Sequence, residues 1–304
     1  MKTFRLGLAT LSLLLLVSCS STTFVYNRLG IVIPWLVGDY VDLDERQDSS
    51  LEQLLDDYLN RHRREHLPRY VAILDRGLAT LDDDIGSAEL AELYRQVEEE
   101  LRREQRQSLD WILAVGESLS DDQIAEFIAN LRDKQAELEE EYLERDDEEF
   151  RDESYKELQK HLDNYLGSLT GQQKASLKGL ADGLIRVDQL WLDEREQWIA
   201  ELEDILRREP GWQQQVRELV INRYERAPDD YKNVYNRNLE LTLESIARVV
   251  DGRSEQQDRH LRRKLISLRD DMCLLVAEGG SSGAHQSVAQ ASCRAAAGSG
   301  SVAS

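Results

Sequence analysis

Between residues 44 and 278 apolar side chains recur at intervals of three and four, and only Pro68, Pro210 and Pro228 interrupt them. That combination leaves the chain one regular structure to adopt. Such spacing lines one face of an α-helix, whereas a half-buried strand needs strict alternation. Ile124, Phe127, Ile128, Leu131, Leu138 and Tyr142 step in this way, and Leu158, Leu162, Tyr165 and Leu169 resume the stripe. No segment alternates strongly enough to make a strand. Each of the three prolines falls near a proposed helix start, where a missing N–H is tolerated. The expected fold class is therefore all-α, an elongated multi-helix bundle.

Three of the helix starts share one chemistry. They are Leu43-Asp44-Glu45-Arg46-Gln47, Leu119-Ser120-Asp121-Asp122-Gln123 and Leu169-Thr170-Gly171-Gln172-Gln173. In each, Asp, Ser or Thr stands at an N-cap, and a Gln three residues later can reach back to the cap amide to close a capping box. The leucine before the cap sits where a hydrophobic staple would, and the recurrence suggests a repeated helical unit. Ser254 with Gln257 offers a fourth start without the leucine. The helices expected are 45–65, 68–82, 88–117, 120–165, 171–208, 211–226, 229–250 and 254–277. The fourth would be about 69 Å long at 1.5 Å per residue, too long for a globular core to enclose. It is expected to form a long coiled-coil-like helical arm.

The first residues carry an export signal. Lys2 and Arg5 precede an apolar run over 6–17 that is too short to span a bilayer but suits a secretory h-region. It ends in Leu16-Val17-Ser18-Cys19, which resembles the lipobox of bacterial lipoproteins. The resemblance implies cleavage before Cys19, acylation of that cysteine, and anchoring to a membrane through it. Several acyl chains on one residue hold stably, since each buried methylene contributes about 0.8 kcal/mol. Ser20, where Asp would favour inner-membrane retention, implies the outer membrane, with the body facing the periplasm. The expected organisation is a signal peptide over 1–18, a lipidated anchor and apolar collar over 19–43, a helical domain over 44–278, and a Gly/Ser/Ala-rich tail over 279–304. The tail holds too little apolar mass to fold. The collar can lie on the lipid surface or pack on the bundle, and packing is the favoured expectation.

Removal of 18 residues, two of them basic, leaves 286 residues with 36 basic and 59 acidic side chains, a net charge of −23. Such a surface repels nucleic acid and bare anionic lipid. Besides Cys19 the chain has Cys273 and Cys293. An oxidising compartment permits a disulfide between them.

Candidate chemistry is sparse. His62-Arg63-Arg64-Glu65-His66 matches H-x-x-E-H, the zinc-binding order of inverted zincins. The two arginines oppose a dication, and nothing singles out Glu141 or Glu144 as a third ligand, so a polar helix face is expected instead. The run over 137–153 carries eleven acids against Arg145 and Arg151 but no glycine to bend a calcium loop. It reads as a solvated helix face. No histidine has Glu three residues before it, as a di-iron bundle would need, and no Gly-x-Ser-x-Gly occurs. Trp111, Trp191, Trp198 and Trp212 fall at helical spacing from leucines and read as bundle seam. No catalytic residue, cofactor or metal site is expected, and the chain is not expected to be an enzyme.

Two family resemblances follow from particular residues. Tyr26-Asn27-Arg28-Leu29, Pro34-Trp35, Asp39-Tyr40-Val41-Asp42-Leu43, Arg61-His62-Arg63 and Leu67-Pro68-Arg69-Tyr70 resemble a family of uncharacterised proteobacterial lipoproteins with a domain of unknown function. Gly30 and Gly38 depart from the acidic residues of that pattern. The Leu-to-Gln starts are similar to the Leu-Thr-x-x-Gln openings of Spy and CpxP-type periplasmic chaperones, with Asp44 and Ser120 replacing Thr. The expected function is a structural or adaptor lipoprotein that holds an envelope protein partner. The alternative is a membrane-tethered holdase.

Overall fold

The structure, a computed structural model, describes residues 21–279 and Cys293. The signal peptide, Cys19 and the tail other than Gly279 and Cys293 lie outside the described residues. The described residues are all-α, without a strand. Helices α1 (Ser21–Tyr26) and α2 (Leu29–Gly38) lead into α3 (Glu45–Glu65), α4 (Leu67–Thr80) and the long α5 (Ser87–Ser118). Then come α6 (Asp121–Leu143), α7 (Asp147–Leu166), α8 (Gly171–Gly183), α9 (Asp188–Ile205), α10 (Trp212–Ile221) and the short α11 (Arg223–Arg226). The chain closes on α12 (Asp229–Asp251) and α13 (Glu255–Glu278). Among the described residues no helix is long and apolar enough to cross a membrane.

At about 1.5 Å per residue α5 runs about 48 Å and serves as a spine. It packs against α3, α4, α10 and α12. Apolar side chains gather along it in separate clusters. Leu109 and Leu113 of α5 meet Ile128 and Leu131 of α6, Ile199 and Leu202 of α9, and Trp212, Val216 and Leu219 of α10. A second cluster joins Leu81, Leu166, Leu177, Val249 and Leu261. A third brings Tyr26 of α1 onto Leu67, Tyr70 and Val71 of α4 and Met272, Leu275 and Val276 of α13. The four tryptophans expected in the seam are there: Trp212 is buried in the first cluster, Trp198 packs against it, and Trp111 and Trp191 pack on two smaller clusters.

The capping boxes form as the sequence predicts, at Asp44, Ser120, Thr170 and Ser254. They also do something the sequence does not suggest, because their glutamines pair. Gln47 and Gln123 exchange amide hydrogen bonds, with Nε2 to Oε1 distances of 2.9 and 2.7 Å. Each also donates to the segment leading into the other's helix, Gln47 to the Ser118 carbonyl at 2.8 Å and Gln123 to the Asp42 carbonyl at 2.7 Å. Gln173 and Gln257 repeat the arrangement, bonded to each other at 3.1 and 2.9 Å. Gln173 donates to the Val249 carbonyl and Gln257 to the Ser168 carbonyl, both at 3.1 Å. Each Oε1 also accepts its own cap's backbone N–H. Both amide protons and both lone pairs of every glutamine are thereby engaged, as burial of an amide demands. Two clasps, one joining the starts of α3 and α6 and one joining those of α8 and α13, tie together helices distant in sequence.

The expected single helix over 120–165 is two helices, broken at residues 144–146. Asp146 caps α7, accepting from the N–H groups of Glu148 and Glu149, while the Glu149 carboxylate accepts the Asp146 N–H. Arg145 pins the break: its guanidinium stacks over Tyr142 and bonds Asp188 at the start of α9 and Glu153. Both halves pack on neighbours, α6 against α9 and α7 against α8 and α13, so no projecting arm forms. The acid-rich composition hid a cap made of the same residue types as the helix around it. The expected helix over 171–208 also divides, after Gly183. There the Asn238 amide binds the Ile185 backbone on both sides, donating to its carbonyl at 2.7 Å and accepting its N–H at 2.9 Å. An extended linker is thereby supplied with the bonds a helix would have given it. The helix expected over 211–226 divides at Asn222.

Cys273 in α13 is joined to Cys293 by a disulfide, and Cys293 packs with Cys273 against the cluster that holds Tyr26. Thiol labelling of the unreduced, denatured protein is expected to find neither cysteine. Reduction is expected to expose both, and tryptic mapping to recover them as one linked pair.

Candidate functional site

The inward stripe of α3 runs Leu51, Leu55, Tyr58, Leu59 and then His62, so the apolar face turns polar at its last turn. His66 continues that face at the junction with α4, completely enclosed. Opposite stands α5, which presents Glu100, Glu104 and Gln107 on successive turns. Proline at 68 starts α4 immediately after the junction and brings Tyr70 to the same place. From the other side α1 inserts Tyr26.

These groups form a closed hydrogen-bonded cluster. His66 Nδ1 lies 2.8 Å from Glu100 Oε1, and Nε2 lies 2.8 Å from Gln107 Oε1. His62 Nδ1 lies 2.8 Å from the Tyr26 hydroxyl, and its Nε2 is 3.6 Å from Glu104 Oε1. The two imidazoles stack at 5.2 Å between centroids. Tyr58 and Tyr70 donate to the two oxygens of Glu104 at 3.1 and 2.8 Å. Arg69 and Arg103 reach the second oxygen of Glu100 from the solvent side, at 3.6 and 3.2 Å.

Electrostatics separate the two histidines. Burial pushes His62 down to about 4, outweighing the Glu104 carboxylate 3.6 Å away, which supports its charged form. Burial opposes a charge on His66 as well, but its bonds to Glu100 and Gln107 outweigh that and hold its pKa above the usual value. Glu100 is likewise held down: burial opposes its charge, and the His66 bond with the charges of Arg69 and Arg103 overcomes it. The opposite shifts favour a charged His66 beside a neutral His62. With a proton on Nε2 facing Glu104, neutral His62 leaves Nδ1 to accept the Tyr26 hydroxyl. Burial, with Glu104 beside them, also raises Tyr58 and Tyr70, so both hydroxyls stay protonated as donors.

A pH dependence follows, with opposite signs for the two rings. His62 contributes stability that is complete above about 6.5 and lost as pH falls toward 4, since the unfolded chain takes its proton first. His66 contributes stability that is complete below the unfolded value and lost as pH rises through its raised one. Denaturant midpoints measured across this range are expected to fall on acidification. In His62→Gln that acid limb is expected to shrink by on the order of 3 kcal/mol.

The H-x-x-E-H stretch is not the polar helix face expected from the sequence, because His62 and His66 are both buried. His62 and His66 do share a helix face, but each ring nitrogen is turned to a different protein group. Glu65 is exposed and takes only a 3.5 Å contact from Gln107. Glu141 and Glu144 lie on α6 and at its end, away from this cluster. Among the described residues no group of three or more His, Cys, Asp or Glu is arranged to hold a metal ion. Sequence reasoning missed Glu100, Glu104 and Gln107. The available signal was their spacing of four and three, which aligns them on one face of α5.

The cluster is the floor of a seat for the segment that follows Cys19. Tyr26 is buried on it, and Arg63 lies over the Tyr26 ring while donating to Asn27 Oδ1 at 2.8 Å. Asn27 in turn donates to Glu278 at the end of α13, at 3.2 Å. Gly279 approaches Arg63 so closely that a Cβ there would stand 2.9 Å from the Arg63 Cβ. Tyr26, Asn27, His62, Arg63, Leu67, Pro68 and Tyr70, scattered in the sequence, meet at one junction. Its groups bond one another; it works as a fastening between α1 and the bundle. Cys19, the expected lipidation site, lies outside the described residues.

A family model described as a family of unknown function (DUF6279) matches residues 39–232. No curated protein and no solved structure gives a significant match.

Proposed function

We propose that this chain, which belongs to the DUF6279 family of unknown function, is an outer-membrane lipoprotein that acts as a structural adaptor of the cell envelope. It is anchored through Cys19 and holds an envelope protein partner on a rigid helical body facing the periplasm. The observation that carries this reading is the seat of α1. Seven residues after Cys19, Tyr26 is bound to His62, and Asn27 is held by Arg63 and Glu278. Little slack separates the anchor from the bundle, since seven residues span at most about 25 Å. A body fastened so near its lipid presents its surface at a set height, which suits an adaptor. Its charge disfavours nucleic acid and favours a partner with basic segments.

The alternative is a tethered holdase of the Spy and CpxP type, suggested by the Leu-to-Gln helix starts. The glutamines of those starts are spent on the two internal clasps, which gives the pattern a structural cause in this chain. Cross-linking in living cells, followed by pulldown and mass spectrometry, separates the readings. One or two envelope proteins recovered in near-equal amounts support the adaptor. A broad spread of unrelated exported proteins that grows under envelope stress overturns it in favour of the holdase. The mass of the mature N-terminal peptide tests acylation of Cys19.

A further inference from the structure

All 59 acidic residues of the chain lie at or after Asp39. Residues 21–38, which form α1 and α2, contain Arg28 as their only charged side chain. The inner side of this segment is spoken for: Tyr26 and Leu29 pack into the bundle, and Ile33 packs on Leu55, Tyr58 and Leu59 of α3. Its outer side is not. Phe24 is 54% exposed, Ile31 72%, Trp35 68% and Leu36 43%. Phe24, Arg28, Ile31 and Trp35 follow one another at steps of four, three and four, so they line one stripe. That stripe holds across the short break because the Arg28 N–H bonds the Val25 carbonyl and the Arg28 carbonyl accepts the N–H groups of Ile31 and Val32. The Arg28 guanidinium rests over the Phe24 ring, 3.3 Å from its centroid.

Resting on the proposed acylation of Cys19, we infer that this outer face of α1 and α2 docks on the lipid surface, with Ile31 and Trp35 inserted between headgroups and Arg28 against a lipid phosphate. Chain length argues for the bilayer as occupant. One residue, Ser20, separates Cys19 from Ser21 at the start of α1, two residue steps of at most about 7 Å of extended chain, so the acyl chains bring this face to the membrane. Charge argues the same way. Acids over the rest of the surface are repelled by phosphates, and this acid-free stripe is the part of the body that lipid accepts. An apolar face with an interfacial tryptophan and a cation has the composition of an in-plane helix. The earlier alternatives for the collar then become two sides of one segment, packed inside and lipid-facing outside.

Trp35 reports the contact directly, because Trp111, Trp191, Trp198 and Trp212 are all at least partly enclosed in the bundle. The full-length mature protein is purified from membranes and reconstituted in phosphatidylethanolamine and phosphatidylglycerol vesicles carrying brominated acyl chains. Emission is expected to be quenched in the native chain, and the quenched component is expected to vanish in Trp35→Phe. In parallel, Cys19→Ser protein is mixed with the same vesicles, and Ile31→Asp in that background is expected to lower the bound fraction by about tenfold or more. Equal quenching of native and Trp35→Phe chains in the acylated protein overturns docking while leaving the anchor intact. A mature chain without acyl groups overturns the anchor, and the vesicle binding of Cys19→Ser protein still decides the surface. Self-association abolished by Ile31→Asp, with no quenching, assigns the stripe to a second copy and overturns the lipid.

Discussion

Replacing Glu100 by alanine is expected to cost about 3–5 kcal/mol of unfolding free energy, the range for breaking a buried charge pair by removing one partner. Glu100 is only 6% exposed and bonds His66, which is 0% exposed. Arg69 and Arg103 are partly exposed and can turn to water once the carboxylate has gone. His66 has no such exit. It must give up its proton and leave Nδ1 facing a cavity. Most of the loss therefore falls on the histidine, and two companion variants show it. Glu100→Gln keeps an acceptor for the ring without the charge, and is expected to cost less than half as much while lowering the His66 pKa in an NMR titration. The double variant Glu100→Leu with His66→Leu is expected to recover much of the loss, because two apolar groups of similar volume can replace a buried pair. Urea denaturation provides the measurement. A Glu100→Ala cost below about 1 kcal/mol would mean that the cluster is wetter than its packing indicates.

The second large effect is expected at the clasp between α8 and α13. Gln173→Glu changes one NH₂ into an oxygen and preserves shape, yet it removes the donor to the Val249 carbonyl and to Gln257 Oε1. Two buried acceptors are then set against a carboxylate, and a loss of about 3 kcal/mol is expected, compared with about 1 kcal/mol for an ordinary hydrogen bond. Helix capping alone would predict little change, because a carboxylate can still accept the Thr170 N–H and close the capping box. The size of the loss therefore separates a clasp from a cap. Gln173→Leu with Gln257→Leu is expected to be milder than the sum of its single changes, as coupled partners require.

Much of the fold was legible because helix starts use short-range chemistry. Asp44, Ser120, Thr170 and Ser254 each satisfy N–H groups two or three residues away, so a window of five residues contains the whole signal. The break at Glu144, Arg145 and Asp146 was not legible, since its Asp146–Glu149 cap is built of the same residue types as the helices around it and Arg145 is held by Asp188, more than forty residues on. Nor was the pairing of the glutamines, which is set by which helix starts meet in space. At the seat of α1 the sequence offered His62 and His66 in register with Leu55 and Leu59. It gave no sign that Tyr26 would come to them from the far side. A histidine on an apolar stripe signals a buried polar partner, and identifying that partner takes tertiary structure.

One consequence of that seat concerns the order in which the chain matures. Tyr26 rests on residues from both ends of the described chain, Leu67 and Tyr70 on one side and Met272, Leu275 and Val276 on the other. Asn27 and Glu278, which close it, are 251 residues apart. A chain that emerges from its N-terminus delivers α1, α3 and α4 early and α13 last. The stretch beside Cys19 therefore keeps an open flank until almost the whole polypeptide has arrived, and under the proposed acylation an enzyme that modifies the cysteine would meet it before the body has closed around its neighbour. Late locking makes α13 the timekeeper of assembly. Deleting it would leave the earlier helices able to form but would leave α1 on an unfinished seat.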